Sequence, residues 1–215
     1  MMANKNSIIK NNIILCEGAD ALYFFIWLLG DAAKENNLFE EFQVFDFGGI
    51  AQLKNFISIL KNMNGYENVS SISIVRDAEK NYSAAISSIK SSLLACELPC
   101  PHGPIDIAVG ENIKIGFALF PSCTRNNQNG TLEDLCLNIL DGSRSSIIMR
   151  DVKKILRKKR YRLLTRSHKN KMHTYFSLTN KFVAMKIGEA AQANAFKRNA
   201  AEINSLKEFL LSLLP

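Results

Sequence analysis

Two short stretches of this chain end in carboxylates where an apolar run stops. The first is Ile13-Ile14-Leu15-Cys16-Glu17-Gly18. The second is Ile72-Ser73-Ile74-Val75-Arg76-Asp77-Ala78-Glu79. Apolar runs of this length read as buried strands, and the carboxyl ends of parallel strands open on one crevice where ligands bind. Glu17, Asp77 and Glu79 gathered there would repel one another unless a proton or a cation stood between them. Oxygen donors suit Mg²⁺ or Mn²⁺, and such ions serve phosphoryl chemistry. Glu17 then reads as a metal ligand or general base, with Gly18 giving a sharp turn and room for a phosphate. Each motif alone is equally a surface turn beside an acid; the pairing on two strands is what points to chemistry.

Other groups bear on the same crevice. Gly48-Gly49 closes the intervening strand and could offer backbone N–H groups to a phosphate, or simply make a tight turn. Glu133 and Asp134 follow Thr131, a good helix N-cap, and acids in a first turn are favoured by the helix dipole. Their position opens onto the same sheet edge, so Glu133 is also a candidate for a second ligand set. Cys123 has no suitably placed histidine, since His102, His168 and His173 lie in polar or basic stretches, and covalent cysteine catalysis is not expected. Cys96, Cys100 and His102 lack a fourth zinc ligand and read as a helix end before a proline-rich turn. The sequence holds no G-x-x-x-x-G-K-[ST] and no G-x-G-x-x-G, which excludes a P-loop and argues against a dinucleotide enzyme.

Charge supplies a second signal. Of 27 Lys and Arg, eleven fall between Arg150 and Lys171 beside a single acid, Asp151, and the rest of the chain is slightly acidic. One basic segment on an acidic body is the footprint of a polyanion partner, though a solvated helix face looks similar. Lys153, Lys154, Arg157, Lys158, Arg160 and Arg162 are the candidate nucleic-acid contacts.

The elements that must position these groups follow from periodicity. Strands are expected at 12–16, 42–47, 69–76 and 113–120, with helices at 20–34, 50–63 and 80–96 between them and a further helix opening at Thr131. Residues 97–110, with three prolines, read as irregular. Alternating strands and helices predict a parallel four-stranded sheet with helices on both faces. In the order 2-1-3-4, the first and third strands would be neighbours at the switch point. After Gly142 the pattern becomes helical, with helices expected at 145–162, 174–195 and 203–213. The expected division is an α/β domain over 1–142 and a helical C-terminal extension over 143–215, packed on it. At 215 residues and 47% apolar composition the chain can bury a real core. No apolar run is long enough to span a membrane, the polar start does not read as a signal peptide, and five scattered cysteines suit a reducing cytoplasm.

The combination of Ile14-Leu15-Cys16-Glu17-Gly18-Ala19-Asp20, Gly48-Gly49, Ile74-Val75-Arg76-Asp77-Ala78-Glu79, Phe120-Pro121 and Thr131-Leu132-Glu133-Asp134-Leu135-Cys136 resembles a Toprim-like domain. It is similar in particular to an uncharacterised bacterial family related to the OLD (overcoming lysogenization defect) nucleases. The resemblance covers roughly residues 10–140. It implies a Toprim fold in which Glu17 is an acid/base or metal ligand and Asp77, with Glu79, binds Mg²⁺. It also implies Asp20 and Glu133 as further ligands of a two-metal site. The chain departs from the pattern in two places: Glu79 stands where an aspartate is usual, and Ala21 stands where the first motif commonly has an acid. The function implied is Mg²⁺-dependent cleavage of nucleic acid, DNA first, with an ATPase or other protein supplied as a separate partner. The alternative is a catalytically degenerate module that binds nucleic acid or another protein.

Overall fold

The computed structural model describes residues 7–30, 38–142, 145–158 and 167–215. Its centre is a mostly parallel sheet of five strands: β1 (Asn12–Cys16), β2 (Phe42–Asp46), β3 (Ser71–Asp77), β4 (Ile107–Val109) and β5 (Lys114–Phe120). The order across the sheet is β2-β1-β3-β5-β4. The four strands expected from the sequence are the parallel ones, and β1 and β3 are neighbours. The expectation of a four-stranded sheet is corrected by β4, which pairs antiparallel with β5 at the edge. Three residues are too few to display an alternation, so this strand is invisible in the proline-rich stretch. It is made by its hairpin, in which Ile105 N–H donates to Phe117 O at 2.7 Å and Gly110 N–H to Ile113 O at 2.8 Å.

Helices flank both faces. They are α1 (Ala19–Gly30), α2 (Leu38–Glu41), α3 (Leu53–Leu60), α4 (Tyr82–Ala95), α5 (Leu132–Asn138), α6 (Ser145–Lys158), α7 (Ser167–Ser177), α8 (Ile187–Gln192) and α9 (Asn204–Leu213). The period of two along each strand sends alternate side chains to opposite faces. Ile13, Leu15, Ile72, Ile74 and Phe117 pack under α3 and α4. Ile14, Cys16, Val75, Ala118 and Phe120 pack instead with α1, α5 and the C-terminal helices. Phe24, Phe25 and Trp27 of α1 are buried there; Phe24 meets Phe25 and Phe120 edge-on and Trp27 at a tilt, and Phe25 also meets Phe120. Such rings carry most of the apolar area a core of this kind buries.

α9 lies over β3 and β5. Small residues make the space: Ser71 and Ser73 are fully buried, and a Cβ at Gly116 would stand 2.6 Å from the Phe209 ring. The single helix expected over 174–195 is two helices. α7 begins earlier, at Ser167, and ends at Ser177, where Thr179 Oγ1 turns back to donate to Phe176 O at 2.8 Å. Ala184, at φ +63°, lies in the turn before α8. Among the described residues no helix is long and apolar enough to cross a membrane.

Candidate functional site

The carboxyl end of the sheet is assembled by strand register. Cys16 aligns with Val75, so the residues that follow, Glu17 and Arg76, meet side by side. Arg76 Nε stands 3.2 Å from Glu17 Oε2, with the arginine side chain 6% exposed and the glutamate 23%. Alternation then sends Arg76 toward α4 and Asp77 toward α5. Asp77 Oδ1 accepts a hydrogen bond from Leu132 N–H at 2.8 Å, at the first residue of α5. That contact brings Glu133, the next residue, to the same place.

Burial pushes the Asp77 carboxyl up to about 8, against the pull of the Leu132 N–H; the charges of Glu133, Glu17 and Glu79 push it the same way as burial. Three of the acids singled out in the sequence are therefore felt at a fourth. Glu79 itself is exposed and held at φ +56°, with its N–H and C=O both paired to Gly130 at 2.8 Å. A left-handed glutamate is uncommon and costs backbone energy.

Glu133 is buried, and its Oε1 meets Lys169 Nζ of α7 at 3.1 Å. Burial alone would raise its pKa; hydrogen bonds from Thr131 and from its own backbone, together with Lys169, outweigh that and hold it low. Asp134 is the cap partner of Thr131, accepting its N–H at 3.0 Å. Asp20 caps α8, with Oδ1 accepting Gly188 N–H at 2.9 Å. Burial, and then the charges of Glu133, Asp20 and Asp77, push the Cys136 thiol up, so these acids surround one point of α5. Cys123 is fully buried, and burial followed by Asp77 pushes its thiol up as well, which leaves it protonated and inert.

The glycine N–H groups have a partner within the chain. Gly18, at φ +88°, and Gly48 donate to the same oxygen, Asp46 Oδ1, at 2.8 and 2.7 Å. Gly49 closes the turn through its carbonyl, which accepts Gln52 N–H at 2.8 Å. Cys96 and Cys100 bond carbonyls of Lys54 and Pro101 through their thiols.

Lys153, Lys154, Arg157 and Lys158 stand exposed along α6, whose other side buries Val152. Lys154 pairs loosely with Asp151 at 3.7 Å. Arg160 and Arg162 lie outside the described residues.

Sequence reasoning missed Arg76, Lys169 and Asp46. Arg76 carried a signal, a cation inside an otherwise apolar run. Lys169 carried none, because its partner is 36 positions away in the chain.

Among the described residues, no group of three or more His, Cys, Asp or Glu is gathered closely enough to hold a metal ion. No curated protein and no solved structure matches the chain. A family match does cover almost all of it: over residues 11–215, with the acids, the basic helix and the C-terminal helices all inside the matched span, the chain belongs to the family described as Protein of unknown function (DUF3226).

Proposed function

We propose that the crevice above β1 and β3 handles nucleic-acid phosphodiesters, as a Mg²⁺- or Mn²⁺-dependent nuclease of the Toprim type related to the OLD enzymes. The observation that carries this reading is Asp77, a carboxyl held near pKa 8 by burial and by Glu133, Glu17 and Glu79. A carboxyl raised by burial at a strand end, with three other acids around it, is a candidate functional group. The exposed basic face of α6 would track a phosphate backbone, and DNA is the expected polyanion.

The donors fit a hard divalent cation in type, being carboxylate oxygens. Glu17, Asp77 and Glu79 would hold it, with Glu133 and Asp20 as the further set. A bound ion supplies water activation and charge neutralisation on the phosphodiester. In the arrangement described, Glu17 is engaged by Arg76, Glu133 by Lys169 and Asp20 by α8, so uptake of an ion calls for a rearrangement of Glu17. Among the described residues, neither Asp77 nor Glu79 is in a salt bridge.

Isothermal titration of Mg²⁺ and Mn²⁺ into wild type and Asp77→Ala, with plasmid nicking in the same buffers, tests the reading. Binding and nicking are expected in wild type, and both are lost in the variant. An inert wild type across both metals and single- and double-stranded substrates would sink it.

A second reading rests on the same ion pairs. Arg76 and Lys169 already neutralise Glu17 and Glu133, as expected of a module that binds nucleic acid without cutting it. DNA binding that survives EDTA and Glu17→Ala, with no nicking, is its signature.

A further inference from the structure

Arg76 completes the row Ile72, Ile74, Arg76 on the α4 side of the sheet, where a third aliphatic side chain would have packed without electrostatic cost. Among the described residues its buried Nε makes no hydrogen bond, and it meets Glu17 as an ion pair at 3.2 Å. The same side chain lines an open cavity of about 370 Å³, together with Glu79, Lys80 and Asn81. Ala84 and Ser88, on the first turns of α4, are small and leave that volume clear.

We propose that Arg76 is the phosphate-recognising residue of this crevice, held on Glu17 until a phosphodiester takes over its guanidinium. The inference rests on the phosphodiester reading above. A planar guanidinium presents parallel N–H donors that match two phosphate oxygens, which an ammonium cannot do. Lys80 adds a second cation at the mouth. Glu79 opposes any anion, and it opposes the single charge of a phosphodiester less than the double charge of a terminal phosphate. The occupant is therefore an internal phosphate of a polynucleotide. Its arrival draws Arg76 off the Glu17 carboxylate, so substrate binding changes the charge that Glu17 meets.

Fluorescence anisotropy with a short labelled DNA duplex, in EDTA and over a salt series, tests this without any turnover. The proteins are wild type, Arg76→Lys, Glu17→Gln and the double variant, each checked by circular dichroism. Arg76→Lys keeps the charge and loses the fork, and binding is expected to weaken about tenfold. Glu17→Gln releases Arg76 and is expected to tighten binding several-fold. That gain disappears in the double variant, a coupling that a merely structural Arg76 would not produce. Equal binding by wild type and both single variants overturns the inference and leaves the phosphodiester reading standing. No DNA binding by wild type overturns both. If Arg76→Lys fails to fold, Glu17→Gln alone decides, because unchanged or weaker binding there also overturns the inference.

Discussion

Two acids of the candidate site are each answered by a cation, and the two pairs are built differently. Glu17 and Arg76 come from adjacent strand ends, and the pair is made by sheet register. Glu133 and Lys169 come from α5 and α7, which pack against each other. The first pair has an almost fully buried cation; the second has a cation whose side chain is 45% exposed. Glu133 also has Thr131 and backbone support, so it depends less on its lysine. One pair is therefore part of the sheet, and the other is a tie between the sheet's edge and the basic helices.

Breaking the first pair has the largest expected effect. Arg76→Met leaves the Glu17 charge in a partly buried setting and should cost about 3 kcal/mol in urea denaturation. Adding Glu17→Gln should recover most of it. A single variant as stable as wild type would mean that the pair is incidental.

Asp77 sharpens the contrast, because it lies between the pairs and shares neither cation. Its folded pKa, about 8, stands above the ordinary carboxylate value, so the folded state holds the proton more tightly than the unfolded one. Stability contributed by that proton is fully present below about pH 4 and is lost as pH rises toward 8. Asp77→Asn removes the loss and can still accept the Leu132 N–H. It should raise the melting temperature at pH 8, where the wild-type protein has lost the stability that the proton contributes. The difference should shrink toward zero by pH 4. A pH-independent difference would point to packing instead.

The smallest effect is expected at the second pair. Lys169→Met should cost about 0.5–1 kcal/mol, fading as salt is raised. A larger, salt-independent loss would show Lys169 to be as integral to the fold as Arg76.

The legibility of the molecule follows the same division. Strands with clear alternation or unbroken apolar runs, β1 and β3, are placed within two residues by the sequence, and the acids at their ends fall where parallel strands must deliver them. β4 is not legible, because three residues held by a hairpin carry no period of their own. The helix break after Ser177 is not legible either, since it turns on one threonine hydroxyl that competes for a backbone carbonyl. Pairs between distant elements, such as Asp20 with Gly188 and Glu133 with Lys169, have no trace in local pattern. Ser71 and Ser73 are instructive in another way. Their alternation with Ile72 and Ile74 looks like a wet face on a half-buried strand, yet both are sealed under a helix that needs small residues beneath it.

That sealing bears on how such a protein can change over evolutionary time. Phe209 rests where Gly116 has no side chain, and the aromatic group of α1 shares one interior with residues as late as Leu213. The helical end is thus not a cassette that could be swapped for another while the sheet stays intact. A lineage that altered it would have to refill that interior in step, and the basic surface would be inherited together with the acidic crevice.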